Sequence, residues 1–404
     1  MPKPLSQNAI TIVKASAPAV AANASKITKT MYELLFRDAH IKALFNHANH
    51  GENGSQVHAL AAAIVAYAHH IDNLAPILPV VERIAHKHIG FHILPEHYPF
   101  VARALISAIA DVLGDAATQE ILDAWAEAYW FLADLLIERE AEIRNELEQR
   151  TGGWTGWREF RVDQKVKESD VVTSFVLRPV DGNPVALHRA GQYLTFDLTL
   201  PAGSQMKRNY SVSSGPSQEF YRISVKREER GSGASRYLHD NVNVGSVLRV
   251  TPPAGDFYLP QEPVGEVVLL SGGVGLTPMV SMLEEIVSNY PDLTAHFVHG
   301  ALNSSAQAMD KHVRSLASKH DGISVTTFYS EPQPADALGL THDEEGYITP
   351  SWLGANTPVT TANYYICGPR PFLRATVRGL LDQGVTKDRI HYEFFGPANE
   401  LLAA

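Results

Sequence analysis

A chain of 404 residues, 45% hydrophobic and 19% charged, is too long for one ordinary core and reads as several domains with little room for disorder. Its 44 acidic side chains outnumber 34 basic ones for a net charge of −10, and no Lys/Arg cluster offers the basic face that binds phosphates, so no nucleic-acid partner is expected. Cys367 is the single cysteine, residues 1–15 lack an apolar signal stretch, and the best apolar run, Val267 to Leu283, is broken by Gly272, Gly273, Gly275 and Pro278; a soluble, cytoplasmic protein is expected.

In chain order, the first 150 residues are rich in Ala, Leu, Ile and His at helical spacing. High helix propensity runs through Ala59 to Ala68 and through Ile121 to Leu147, which predicts an all-α domain over 1–150. Gly152-Gly153-Trp154-Thr155-Gly156-Trp157 then breaks the pattern. Strand-like segments Val171 to Leu177 and Tyr193 to Leu198 follow, separated by turns such as Asp181-Gly182-Asn183-Pro184, and predict an antiparallel β-barrel over 151–262. Beyond about Val264, strands at 266–270, 296–299 and 364–367 alternate with helices at 279–289 and 371–383, which predicts an α/β domain with a parallel sheet over 263–404.

The most informative turn of the last domain is Ser271-Gly272-Gly273-Val274-Gly275-Leu276-Thr277-Pro278, between an apolar strand and a helix. Glycines there let the backbone approach a pyrophosphate, whose charge the helix N-terminus stabilises. A plain tight turn has the same composition, so the surrounding motifs decide. Arg208-Asn209-Tyr210-Ser211, Gly191-Gln192-Tyr193, Gly233-Ala234-Ser235, Ile366-Cys367-Gly368-Pro369 and His391-Tyr392-Glu393-Phe394-Phe395-Gly396-Pro397 occur in one order.

This set resembles the ferredoxin-reductase-like flavoenzymes, from Trp157 to Pro397. The resemblance implies FAD and NAD(P)H as cofactors. It places Tyr193 and Tyr210 beside the flavin, Arg208 at the FAD pyrophosphate with Asn209 in the same motif, and Ser211 near flavin N5. Gly233 and Ser235 would begin a phosphate-cradling helix. Gly272, Gly273, Gly275 and Thr277 would form the nucleotide turn. Cys367 and Glu393 would lie near the nicotinamide, with Phe395 over the flavin face. A guanidinium suits phosphate and a hydroxyl near N5 can steady a reduced flavin. Cys367 is assigned no nucleophilic role. After the second strand, His299-Gly300-Ala301-Leu302-Asn303-Ser304 holds no arginine for a 2′-phosphate, which favours NADH, although Lys311 and Arg314 lie further along.

Ten histidines fall between His40 and His97 in the helical domain, and a lone histidine there is more often a surface residue than a ligand. Ile84-Ala85-His86-Lys87-His88-Ile89-Gly90, followed by Leu94-Pro95-Glu96-His97-Tyr98-Pro99, resembles the proximal side of the bacterial flavohaemoglobin globin. The resemblance makes His88 the ligand of a haem b iron; His86 lies about 200° away around the helix, and His92 falls towards its end. It makes Tyr98 and Glu140 the partners of the far imidazole nitrogen, although Glu140 sits in a charged run, Glu138 to Glu142, that would otherwise read as a solvated helix face. On the distal side it implies Tyr32 as a donor to the diatomic substrate and Phe45 stacked on the porphyrin, with Gln56 and Leu60 facing it from one helix. Between Phe36 and Gln56 the sequence departs from the family pattern: Ile41 replaces a proline after His40, and spacing around Phe45 differs, which keeps His58 open as an alternative to Gln56.

Together these resemblances cover nearly the whole chain and imply a flavohaemoglobin acting as a nitric oxide dioxygenase. Electrons would pass from NAD(P)H through FAD to haem, with nitric oxide and oxygen as substrates and no stable protein partner required. A lipid occupant of the distal pocket stays open. Two other readings carry their own discriminators. A general reductase of ferric, quinone or peroxide substrates would show no response to nitric oxide. A gas sensor or oxygen carrier would require an output module or a stable oxygenated form in place of a complete reductase.

Overall fold

The computed structural model describes residues 3–44, 55–201, 203–229 and 233–395, without the side chains of 43 and 55–59. These residues fall into two compact units, one from 1–149 with 201–207 and one from 150–200 with 208–396.

The first unit is helical: α1 (Gln7–Ala22), α2 (Ala24–Leu35), α3 (Ala39–Leu44), α4 (Ser55–His69), α5 (Leu78–Phe91), α6 (Tyr98–Leu113) and α7 (Gln119–Gln149). Its core joins Val13, Ile27, Met31, Ile109 and Trp125, all nearly inaccessible, from α1, α2, α6 and α7. A second cluster of Val81, Ala85, Ile89, Tyr98, Leu136 and Ile143 packs α5 against α6 and α7. Along α7 the buried positions Ala133, Leu136, Glu140, Ile143 and Leu147 recur every three to four residues, so one face of this helix is committed to the interior. Helix α5 stops at His92, whose left-handed backbone (φ 55°) caps the helix with N–H bonds to the His88 and Ile89 carbonyls. Pro95 opens the short 3-10 turn Pro95–His97, which leads directly into α6 and sets Tyr98 at its start.

The second unit begins where the glycine-rich break ends α7. Trp154 leaves that break to pack on Phe160 and Tyr221, with ring centroids 5.7 and 6.3 Å away. Strands β1 (Arg158–Lys167), β2 (Val172–Pro179), β3 (Tyr193–Thr199), β4 (Gln205–Ser211), β5 (Tyr221–Lys226) and β6 (Val247–Val250), with helix α8 (Ala234–Asn241), make a sheet of order β4-β3-β6-β1-β2-β5. An antiparallel bridge between Val212 and Ile223 joins the two ends of that order, closing the barrel.

The remainder alternates: β7 (Val267–Gly272), α9 (Leu276–Asn289), β8 (Ala295–Ala301), α10 (Asp310–Ala317), β9 (Ile323–Tyr329), β10 (Glu344–Glu345), α11 (Pro350–Asn356), β11 (Asn363–Cys367), α12 (Arg370–Asp382) and β12 (Ile390–Glu393). The second sheet runs β10-β9-β8-β7-β11-β12 with parallel pairing throughout. Its order reverses between β7 and β11, so the carboxyl ends of these neighbours flank a crevice. Barrel and parallel sheet share one unit, and Glu284 of α9 ties them: its carboxylate accepts from Arg222 (2.6 Å), His312 (2.7 Å) and the Gly215 N–H (2.6 Å). All three fold classes expected from the sequence are present in the expected order. No helix among the described residues is long and apolar enough to cross a membrane.

At the reversal the two turns touch through Gly275, where a β-carbon would overlap the Cys367 carbonyl and lie 2.7 Å from the Gly368 nitrogen. Both obstacles are backbone and cannot yield locally. Gly275→Ala is therefore expected to cost about 1–3 kcal/mol of stability. Urea unfolding of the purified variant measures it, and a wild-type midpoint would contradict this packing.

Candidate functional site

The helical unit encloses an apolar cavity of about 360 Å3, a size that suits a small-molecule cofactor. Its wall includes Tyr32 and Leu35 of α2, Leu60 and Ile64 of α4, and His88 and Phe91 of α5. His88 is the only one of His86, His88 and His92 on that wall. His86 instead meets Glu82 at 3.2 Å, and His92 caps the helix through its backbone N–H.

His88 stands in the last turn of α5, pinned from behind. Its Nδ1 lies 2.7 Å from Glu140 Oε1 and 3.0 Å from the Tyr98 hydroxyl, while the Tyr98 hydroxyl donates to Glu140 Oε1 at 2.6 Å. Glu140 is fully buried, and its other oxygen lies 3.5 Å from Arg144. A buried carboxylate costs several kcal/mol unless such partners meet it. Burial, and secondarily the Glu140 charge, raise the Tyr98 pKa far above the ordinary tyrosine value, so Tyr98 stays a neutral donor. With a carboxylate at Nδ1, His88 carries its proton there and keeps the Nε2 lone pair for a metal. An imidazole nitrogen on a largely apolar pocket wall fits a haem.

The charged run around Glu140 divides by face. Arg139 pairs outward with Glu82 and Glu142, at 2.8 and 3.0 Å, while Glu140 points inward. The signal was already present in the spacing, since Glu140 follows Leu136 by four and precedes Ile143 by three on the buried stripe.

Tyr32 lines the cavity from α2, buried, with its ring 5.4 Å from that of Phe36. Leu60 reaches the same cavity from α4. Phe45, and the side chains of Gln56 and its alternative His58, lie outside the described residues.

In the barrel, strand alternation puts Arg208 and Tyr210 on one face of β4, while Asn209, on the other, accepts from Thr195 at 3.0 Å. Burial lowers the Arg208 pKa from its ordinary value, the mark of a partly dehydrated cation that suits an anionic group. Tyr210 meets Phe196 edge-on at 5.5 Å, and Ser211 is buried at the strand end. Tyr193 is buried beside Gly255, whose left-handed backbone (φ 117°) admits the tyrosine ring at 3.0 Å from where a β-carbon would sit. The Tyr193 hydroxyl has no hydrogen-bond partner among the described residues, the condition of a group awaiting a bound acceptor. Gly233 begins α8 with φ 88°, and the Ser235 hydroxyl already accepts from the Glu228 N–H at 3.1 Å.

At the crevice, Gly273 has φ 55° with open space on its β-carbon side, so the turn presents bare backbone before α9. Thr277 turns its hydroxyl back to the Val274 carbonyl at 3.1 Å. Cys367 is fully buried, and burial pushes its thiol pKa well up, so it remains a neutral thiol. Glu393 pairs with Cys367 across β12 and β11, and half-exposed Phe395 follows. The structure thus brings His88, Tyr98 and Glu140 into one network and the glycine turn beside Cys367 and Glu393. Sequence reasoning passed over Gly255, which an isolated glycine does not advertise, and His97, considered below.

Burial holds the Tyr32 phenol at about 12, against an ordinary 10.0. An unfolded chain ionises at the lower value, so this group withdraws stability from the fold as pH rises from 10.0 to about 12. Tyr32→Phe should therefore lose less stability than wild type across that interval in alkaline denaturation followed by circular dichroism. An identical alkaline loss in both proteins would contradict the burial of this phenol.

Known proteins agree with this architecture. Residues 28–136 match the globin family, 159–258 the oxidoreductase FAD-binding domain and 269–378 the oxidoreductase NAD-binding domain. The chain is 52% identical over 399 residues to a flavohemoprotein of Xylella fastidiosa, covering 99% of each chain, and 44% identical over 407 residues to one of Rhodopirellula baltica, covering 99% and 100%. It superimposes on the crystal structure of flavohemoglobin from Malassezia yamatoensis, which has bound FAD and heme, with a TM-score of 0.86 at 25% identity, covering 97% of this chain and all of that one. It also resembles the FAD/NAD-binding domain of the nitric oxide dioxygenase of Vibrio cholerae, at 34% identity and TM-score 0.54 over 59% of this chain and 99% of that one. An imidazole backed by a buried carboxylate, followed by an FAD barrel and a nicotinamide-binding sheet, makes this chain an oxidoreductase of the flavohaemoglobin family, with haem, FAD and NAD as its cofactors.

Proposed function

We propose that the chain is a nitric oxide dioxygenase, with a globin at 1–150, an FAD barrel at 151–262 and a nicotinamide domain at 263–404, working in the cytoplasm. The observation that carries the reading is the 2.7 Å contact between His88 and fully buried Glu140. A carboxylate partner makes imidazole more electron-donating, which favours oxygen activation over reversible oxygen storage. When bound, the three cofactors supply hydride transfer, single-electron delivery and the oxidation of nitric oxide by dioxygen to nitrate.

The chain's own residues position and insulate these groups. His88 is the proposed iron ligand through Nε2, and Glu140 holds the Nδ1 proton while Tyr98 fixes the carboxylate. Tyr32, neutral at physiological pH, brings a phenol to the same cavity wall, suited to negative charge that develops during oxygen chemistry. Phe45, Leu60 and Gln56 complete the distal reading. Arg208 offers its guanidinium to the FAD pyrophosphate, Tyr193, Tyr210 and Ser211 hold the flavin with Asn209 behind them, and Gly233 and Ser235 begin the phosphate-facing helix. Gly272, Gly273, Gly275 and Thr277 shape the nicotinamide dinucleotide turn, and Cys367, Glu393 and Phe395 border its reactive end. NADH is the favoured donor: Arg314, a candidate for a 2′-phosphate, is already paired with Asp310 at 3.1 Å and Asp343 at 2.7 Å.

In aerated buffer, nitric oxide should stimulate NADH consumption by the purified holoenzyme with stoichiometric nitrate formation. No stimulation would overturn the dioxygenase reading in favour of a general reductase. His88→Ala should lose the haem Soret band or its turnover while retaining flavin absorbance. Glu140→Gln, which keeps the shape and removes the charge, should raise the haem midpoint potential and slow nitric oxide-dependent turnover roughly tenfold or more. An unchanged potential in a redox titration would remove the role given to this carboxylate.

A further inference from the structure

Four polar side chains on the wall of the globin cavity turn their polar atoms into the protein. Tyr67 donates to the Ala128 carbonyl at 2.7 Å, Trp125 to Ser16 Oγ at 3.0 Å, Tyr129 to the Tyr98 carbonyl at 2.8 Å, and Tyr98 to Glu140 at 2.6 Å. Each leaves a hydrocarbon or aromatic surface towards the cavity. His97 is different. It is 7% exposed and also lines the cavity, yet its bond to the protein uses the accepting nitrogen: Nδ1 takes the Leu94 N–H at 2.9 Å.

That contact decides the tautomer. Burial, the largest influence, lowers the His97 pKa from its ordinary value, so the ring is neutral. A neutral imidazole that accepts at Nδ1 carries its hydrogen at Nε2, which remains as the donor of the ring. The ring is also held in place, because Pro95 opens the turn Pro95–His97 and α6 begins at the next residue. Lys87, one position before His88, lies on the same wall and brings a cation to it.

A haem is apolar except for its propionates. Those carboxylates cannot be set against a hydrocarbon wall without a large desolvation cost, and a fixed N–H donor offsets it. We propose that His97 anchors the haem, its Nε2–H donating to one propionate, with Leu94 as the backbone group that holds the donor tautomer. This rests on the haem reading above and adds a residue to it. The function is retention and orientation of the cofactor, separate from ligation of the iron.

The test compares haem retention in the full-length chain reconstituted with protohaem or with its dimethyl ester, which lacks the anionic carboxylates. Transfer to excess apomyoglobin, followed in the Soret band, reports the rate of loss. His97→Leu should lose protohaem roughly tenfold faster than wild type, as expected for a missing hydrogen bond to a charged group, and should lose the ester at nearly the wild-type rate. His97→Gln, which can still accept from Leu94 and donate through its amide, should recover most of the protohaem retention. If His97→Leu speeds loss of both porphyrins equally, or of neither, the propionate contact is wrong and His97 only packs the turn. If wild type takes up neither porphyrin, the haem reading itself falls and this proposal falls with it.

Discussion

A carboxylate with no solvent access is the constraint around which the helical unit is arranged. Glu140 is met inside by an imidazole and a phenol at the same oxygen, and the pair can meet it only if α5, α6 and α7 converge at one point. The left-handed cap at His92 ends α5 one turn after His88, and the proline-led turn brings Tyr98 back within reach. Removing any of the three would leave a buried polar group without its partner, a cost of the order of the whole net contribution of several ordinary hydrogen bonds. The electronic demand on the proximal imidazole and the packing of three helices are thus satisfied by the same few atoms.

In the second unit the comparable constraint is the reversal of strand order between β7 and β11. Parallel strands there end in two turns, and the absence of a side chain on Gly275 lets the turn after β7 lie against the backbone of the turn after β11. The barrel closes through Val212 and Ile223, and Glu284 holds barrel and sheet together through three donors. A chemistry that hands a hydride from one cofactor to another requires the two binding surfaces to keep a fixed relation, since an ångström of misplacement can slow a reaction by orders of magnitude. A partly buried charged residue between the two lobes, with each of its partners on a different element, serves that requirement directly.

Several features of the site could be read from local spacing. The glycine turn between an apolar strand and a helix, the ordered set of flavin-type motifs, and the histidine pair ahead of Tyr98 each stand in a short window where the physical reason is local. Glu140 was legible as well, once the helix period is set above the charge of its neighbours. His97 and Gly255 were not. An imidazole that lines a cavity and one that faces water have the same sequence neighbours, and a glycine that admits a ring from a distant strand has no local mark.

By itself the sequence determined the helical, barrel and α/β character of successive segments, because periodicity, turn chemistry and propensity act over a few residues. It also carried the resemblance that identified the cofactors. What only the tertiary structure decided was which of the clustered histidines shares a cavity wall, and where two strands adjacent in space but about 90 or more residues apart in sequence bring their turns together. Those outcomes depend on long-range packing and on the desolvation of particular polar atoms, and neither quantity exists until the chain has closed on itself.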